Sequence, residues 1–131
     1  MGNCPDIGSW VDKAEEDVRA AQVLCAADLS GFAGTIVFHC QQAAEKYLKA
    51  CLVGAAVSFP RTHDLEQLLT MCISISAEFE GLQHAADRLQ PYAVAARYPH
   101  AAPLESEVKR AVEDMGQVCG VCRNRLEKAR P

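Results

Sequence analysis

No stretch of the sequence stays apolar for the roughly 20 residues that a helix needs to cross a bilayer, so a membrane span is not expected. A basic excess is missing as well. Lysine and arginine total 13 against 17 aspartates and glutamates, a formal charge of −4, which argues against a strongly electrostatic nucleic-acid binder and leaves room only for a local basic patch. No alternating apolar segment flanked by turn residues argues for a strand. Repeats of solenoid length and low-complexity linkers are absent too. The seven cysteines are odd in number and scattered, which suits reduced thiols in a cytoplasmic protein better than a disulfide framework. Met1 is followed by no basic and apolar leader. Gly2 and Cys4 suggest an acylation signal, but Asp6 stands where that signal wants Ser or Thr, so lipidation is not expected.

What remains is ordinary globular composition: 131 residues, 50% apolar and 23% charged. That size fits one domain over residues 1–131, burying roughly two-thirds of the unfolded surface without help from metal or disulfide. Helical periodicity runs through nearly all of it, giving an all-α bundle of about five helices. Ser9 is placed to cap a first helix carried by Trp10, Ala14, Val18, Ala21, Leu24 and Cys25 and ending near Asp28. Its outer face holds Asp12, Glu15, Glu16 and Asp17, an acidic start that suits the helix dipole. Leu29 to Gly34 reads as a turn.

From about Thr35 to Val53 the apolar positions cover more than half of the helix circumference, so this should be the central helix. Gln41, Glu45, Lys46 and Lys49 are then expected on its open face, and Gly54 as a left-handed C-terminal cap. Thr62 or Asp64 can cap a short third helix carrying Leu65, Leu68, Leu69 and Cys72. A fourth helix holds Phe79, Leu82, Ala85, Ala86 and Leu89, and Pro91 should kink or restart it before Tyr92 to Tyr98. Leu104 to Leu126 forms a long last helix, which Gly116 and Gly120 weaken by about 1 kcal/mol each relative to Ala.

Three segments, in order, carry a family likeness. They are Phe38-His39-Cys40-Gln41-Gln42-Ala43-Ala44-Glu45-Lys46-Tyr47-Leu48-Lys49-Ala50, then Pro60-Arg61-Thr62-His63-Asp64-Leu65, and Ala96-Arg97-Tyr98-Pro99. Together with the opening and closing helices they make nearly the whole chain resemble the HEPN domain. The Gln-Gln-Ala-Ala-Glu-Lys core is fairly specific, whereas His-Asp-Leu and Arg-Tyr-Pro would be weak alone. The resemblance implies an antiparallel bundle that commonly homodimerises and is often paired with a minimal nucleotidyltransferase in toxin–antitoxin-like operons. Some relatives are metal-independent ribonucleases; others are noncatalytic modules proposed to bind a nucleotide or RNA.

The ribonuclease members place a His after an Arg with four to six residues between, so that imidazole transfers protons while guanidinium stabilises phosphorane charge. None of His39, His63, His84 and His100 has an Arg at that distance upstream. Family-type RNA cleavage is therefore not expected. Arg97 and His100, separated by Tyr98 and Pro99, offer the alternative of a divergent catalytic pair across a two-fold axis.

The candidate ligand- or partner-binding residues are Gln42, Lys46, Lys49, His63, Arg97 and Tyr98. Lys46 and Lys49 lie three apart and share a face, where they can receive phosphates or simply extend into solvent past an apolar helix. Arg97 can grip a phosphate or pair with Glu45 or Asp64. His63 has a second role open to it, satisfying the start of the third helix. Cys119 and Cys122 form the one Cys-x-x-Cys, but without a second ligand pair or a βαβ setting they read as small core residues, so no metal or cofactor is expected. Arg123, Arg125, Lys128 and Arg130 make a basic tail, favourable at a helix C-terminus and open to sequence-independent phosphate contacts.

Overall fold

The computed structural model describes residues 5–95 and 102–128. Among these there is no strand. The chain forms α1 (Ile7–Asp28), α2 (Ala33–Gly54), α3 (Leu65–Ile73), a 3₁₀ segment (Ala77–Leu82), α4 (Gln83–Leu89), α5 (Tyr92–Ala95) and α6 (Glu105–Lys128). No helix among the described residues is long and apolar enough to cross a membrane.

As its composition predicts, α2 is the hub. It packs against α1, α3, α4, α5 and α6, and Ile36, Val37, Cys40, Ala43, Ala44, Tyr47, Leu48, Ala50 and Leu52 are all essentially closed to solvent. Trp10 approaches Lys49 while Asp17 approaches His39, so α1 runs antiparallel to α2. The last helix lies along the same hub through Val108, Ala111, Met115, Val118, Cys119 and Cys122. Pro91 does interrupt the chain, with α4 ending at Leu89 and α5 starting at Tyr92. The segment read as the start of a fourth helix is instead a 3₁₀ turn, which Ser76 opens by accepting the Glu78 backbone N–H.

Two caps differ from expectation. Asp6, not Ser9, caps α1, its side chain accepting the Ser9 N–H at 2.8 Å. The helix therefore starts at Ile7, and Asp12 to Asp17 lie beyond its first turn. At the other end of α2, Gly54 is the last helical residue rather than a left-handed cap, and Ala56 takes the positive φ of 58°. The Val57 N–H bonds the Leu52 carbonyl at 2.9 Å and the Ala56 N–H bonds that of Val53 at 3.0 Å, which is a Schellman closure. What Gly54 provides is closeness: a Cβ there would stand 3.4 Å from Ile7 Cδ1 and 3.5 Å from Leu126 Cδ2.

A left-handed L-residue costs about 1–2 kcal/mol, and glycine returns part of that through its freer unfolded chain. Ala56→Gly should therefore raise stability by roughly 0.5–1 kcal/mol, read as a shift of the urea midpoint at constant slope. An unchanged or lower midpoint would show that Ala56 is unstrained.

Candidate functional site

The polar residues of α2 sort into separate clusters. In the first, the buried Glu45 carboxylate accepts from Lys49 Nζ at 3.0 Å and from Gln41 Nε2 at 3.3 Å, and faces His63 Nδ1 at 3.0 and 3.1 Å. Gln41 also donates to the His63 carbonyl at 3.3 Å and accepts from Gln42 Nε2 at 2.7 Å. Glu45 and Lys49 are one turn apart, and both are buried, at 2% and 6% exposure. An unpaired charge in such surroundings would be expensive, so each ion makes the other tolerable.

This cluster joins Gln42, Lys49 and His63 around a buried core of Gln41, Glu45 and Lys49, with Gln42 half-buried and His63 exposed at its rim. His63 does not satisfy the start of α3. Asp64 accepts the Glu66 and Gln67 N–H groups, and Gln90 Oε1 accepts that of Leu65 at 2.7 Å.

Lys46 turns to a second cluster. Its Nζ lies 2.6 Å from one oxygen of Asp17, while His39 Nδ1 lies 2.8 Å from the other. The two lysines thus meet α1 at points two turns apart, Lys46 at Asp17 and Lys49 beside Trp10, and each has its own carboxylate. Asp17, expected on the outer face, is buried instead; it sits between Ala14 and Ala21 in the apolar stripe, which is the signal that sequence reading passed over.

At the far side, Arg123 forks onto Glu15 at 2.8 and 3.0 Å, reaches Tyr47 Oη at 3.2 Å and lies 5.4 Å from the Tyr47 ring centroid. The Tyr47 hydroxyl itself donates to Glu15. Burial pushes the Glu15 carboxyl up, but the Tyr47 hydroxyl and Arg123 outweigh it and leave the group below its ordinary value. Arg125 and Lys128 both approach Glu78. Of the basic tail, then, three members are engaged in ion pairs, and Arg130 lies outside the described residues. Arg88 binds Asp114 in bidentate fashion, both bonds 2.9 Å, tying α4 to α6.

Arg97, Tyr98 and His100 fall outside the described residues. The two carboxylates considered as partners for Arg97 have other occupations: Glu45 holds Lys49 and His63, and Asp64 caps α3. Cys119 and Cys122 are free, buried thiols of the core.

One opening among the described residues has no sign in the sequence. A cleft of about 770 Å³ lies between the start of α1 and the α2–α3 loop, with Trp10, Lys49, Val57, Phe59, Pro60 and Arg61 among its walls. Trp10 and Phe59 meet edge-on, centroids 6.2 Å apart at 62°. Lys49 Nζ stands 5.3 Å from the first ring and 5.9 Å from the second, within cation–π range. Trp10 Nε1 is the one buried side-chain nitrogen or oxygen without a partner among the described residues. Trp10 and Phe59 are 49 residues apart in sequence, so no local pattern announces the pair.

A hub helix wrapped by helices on its several sides, with its buried polar groups paired within the helix or to its neighbours, defines a class of compact helical modules. The model of the HEPN domain matches residues 7–125, and this chain belongs to the HEPN family. The crystal structure of ST0689, an archaeal HEPN homologue, superimposes with a TM-score of 0.74 at 21% identity, covering 94% of this chain and 99% of that one. No curated protein matches the sequence.

Proposed function

We propose that this HEPN chain is a noncatalytic interaction module that homodimerises and binds a nucleotide, an RNA or a minimal nucleotidyltransferase partner, as one half of a toxin–antitoxin-like pair. The observation that carries the reading is the spacing of its histidines, none of which follows an arginine after four to six residues. Without that pair, one chain cannot supply the proton carrier and the phosphorane-stabilising cation that family ribonucleases bring from each protomer. The ion pairs support the same reading: Lys46 is held by Asp17, Lys49 by Glu45 and Arg123 by Glu15. These cations brace the bundle and are not free to follow a reacting phosphate.

Light scattering should give twice the 14.2 kDa chain mass. Titration with ATP and GTP by calorimetry, and pull-down from lysate of the native cell, should yield a saturable ligand or a nucleotidyltransferase. A monomer that captures neither nucleotide, RNA nor partner, or wild-type protein that degrades RNA without added metal, would overturn the reading.

A further inference from the structure

We propose that the cleft walled by Trp10, Phe59, Lys49 and Arg61 binds a small, flat, largely apolar ligand carrying an anionic group. The cleft's 770 Å³ lies within the range of small-molecule pockets, roughly 300–1,000 Å³. Its walls have the composition such pockets share, mostly apolar with a few polar groups at defined places. Pro5, Val53, Ala56, Val57 and Pro60 supply aliphatic surface, and two half-buried aromatic rings supply faces and edges for a third ring.

The sign of the ligand's charge follows from what lines the cleft. Acidic residues outnumber basic ones over the chain, 17 to 13, yet the lining holds Lys49 and Arg61 and no carboxylate. The two cations have different duties. Lys49 is buried, balanced by Glu45 at 3.0 Å, and it fixes both rings from the floor. Arg61 is exposed at the rim and makes no ion pair among the described residues, so its five donors are available to a carboxylate or phosphate.

The proposal deepens the binding reading above and rests on it only in expecting a ligand at all; a nucleotide shares the flat ring and the anionic group but is far more polar. Trp10 is the sole tryptophan, so the ¹⁵N-labelled full chain shows a single indole N–H resonance that reports on the cleft. The probes are 2-naphthoate, its neutral counterpart 2-naphthalenemethanol, and AMP. We expect 2-naphthoate to shift the indole resonance saturably, and the neutral compound to bind about tenfold more weakly, the equivalent of one charge-assisted contact. Arg61→Ala should bring naphthoate down to the neutral compound's affinity, and Arg61→Lys should restore part of the difference; this rim position tests the charge without disturbing the core.

No saturable shift up to millimolar 2-naphthoate, or equal affinity for the neutral compound, overturns the proposal. So does full affinity in Arg61→Ala. AMP separates the two readings: heat of AMP binding with the indole unmoved and naphthoate inert sinks the cleft while leaving nucleotide binding intact. Naphthoate shifting the indole in a chain that captures no nucleotide supports the cleft and removes the nucleotide from the reading above.

Discussion

Glu45→Ala should cost about 3–5 kcal/mol of folding stability, the penalty for leaving a buried charge without its partner. The substitution strands the Lys49 ammonium at 6% exposure and removes the acceptor shared with Gln41 Nε2 and His63 Nδ1. Burying half a pair is worse than burying none. The double variant Glu45→Leu with Lys49→Met, which fills the space with apolar side chains, should therefore recover most of the loss. Urea unfolding of the two single variants and the double completes the cycle. A second readout separates local from global effects: His63 is the loop's hold on α2, so amide exchange over residues 55–64 should quicken in Glu45→Ala more than exchange in α6. A loss below about 1 kcal/mol would mean that Lys49 swings out to solvent and that the pair is dispensable.

That cluster also shows where sequence reading stops. The helices of this protein are legible because each buries one stripe against the hub, and burial writes a three-to-four-residue period into the chain. The stripe of α2, the Asp64 cap and the break at Pro91 need only local information, and the structure has all three. The Asp6 cap is hard to read because Ile7 and Gly8 do not look like the opening of a helix, although Asp6 stands three residues before the Ser9 N–H that it accepts.

The polar partners are a different matter. Gln42, Lys49 and His63 meet through Gln41 and Glu45, with Lys49 buried, Gln42 half-buried and His63 at the surface. Whether a lysine reaches solvent or a carboxylate depends on which turn of which helix lies opposite. That is set by packing between residues such as Asp17 and Lys46, 29 positions apart. Periodicity says which side of a helix is covered and nothing about what covers it. The Trp10–Phe59 cleft is hidden for the same reason, since it exists only once α1 and the α2–α3 loop have been brought side by side.

The largest effect should come from alkali. Burial pushes the thiols of Cys72 and Cys119 up to about 12 and that of Cys40 higher still, while a hydrogen bond with Cys51, and burial after it, raise that of Cys122 well above its ordinary value. In the unfolded chain all four ionise near 9. A group whose folded pKa is raised binds its proton more tightly when folded, so its contribution is fully present below the unfolded value and is lost as pH rises above it. Each thiol then removes about 1.4 kcal/mol per pH unit, and four together about 5 kcal/mol per unit above pH 9. Tyr47, whose hydroxyl is raised by burial and by its bond to Glu15, joins them above pH 10. Against a domain stability of roughly 5–15 kcal/mol, that slope should cancel the lower end of the range by about pH 10 and most of it by about pH 11. Urea midpoints measured under a reductant from pH 8 to pH 10.5 should stay level and then fall steeply, with the buried thiols becoming reactive to iodoacetamide only as the midpoint collapses. A stability curve flat through pH 10.5, or thiols alkylated at native rates while the helices persist, would place these cysteines in contact with solvent and break the link between core packing and proton binding on which the slope depends.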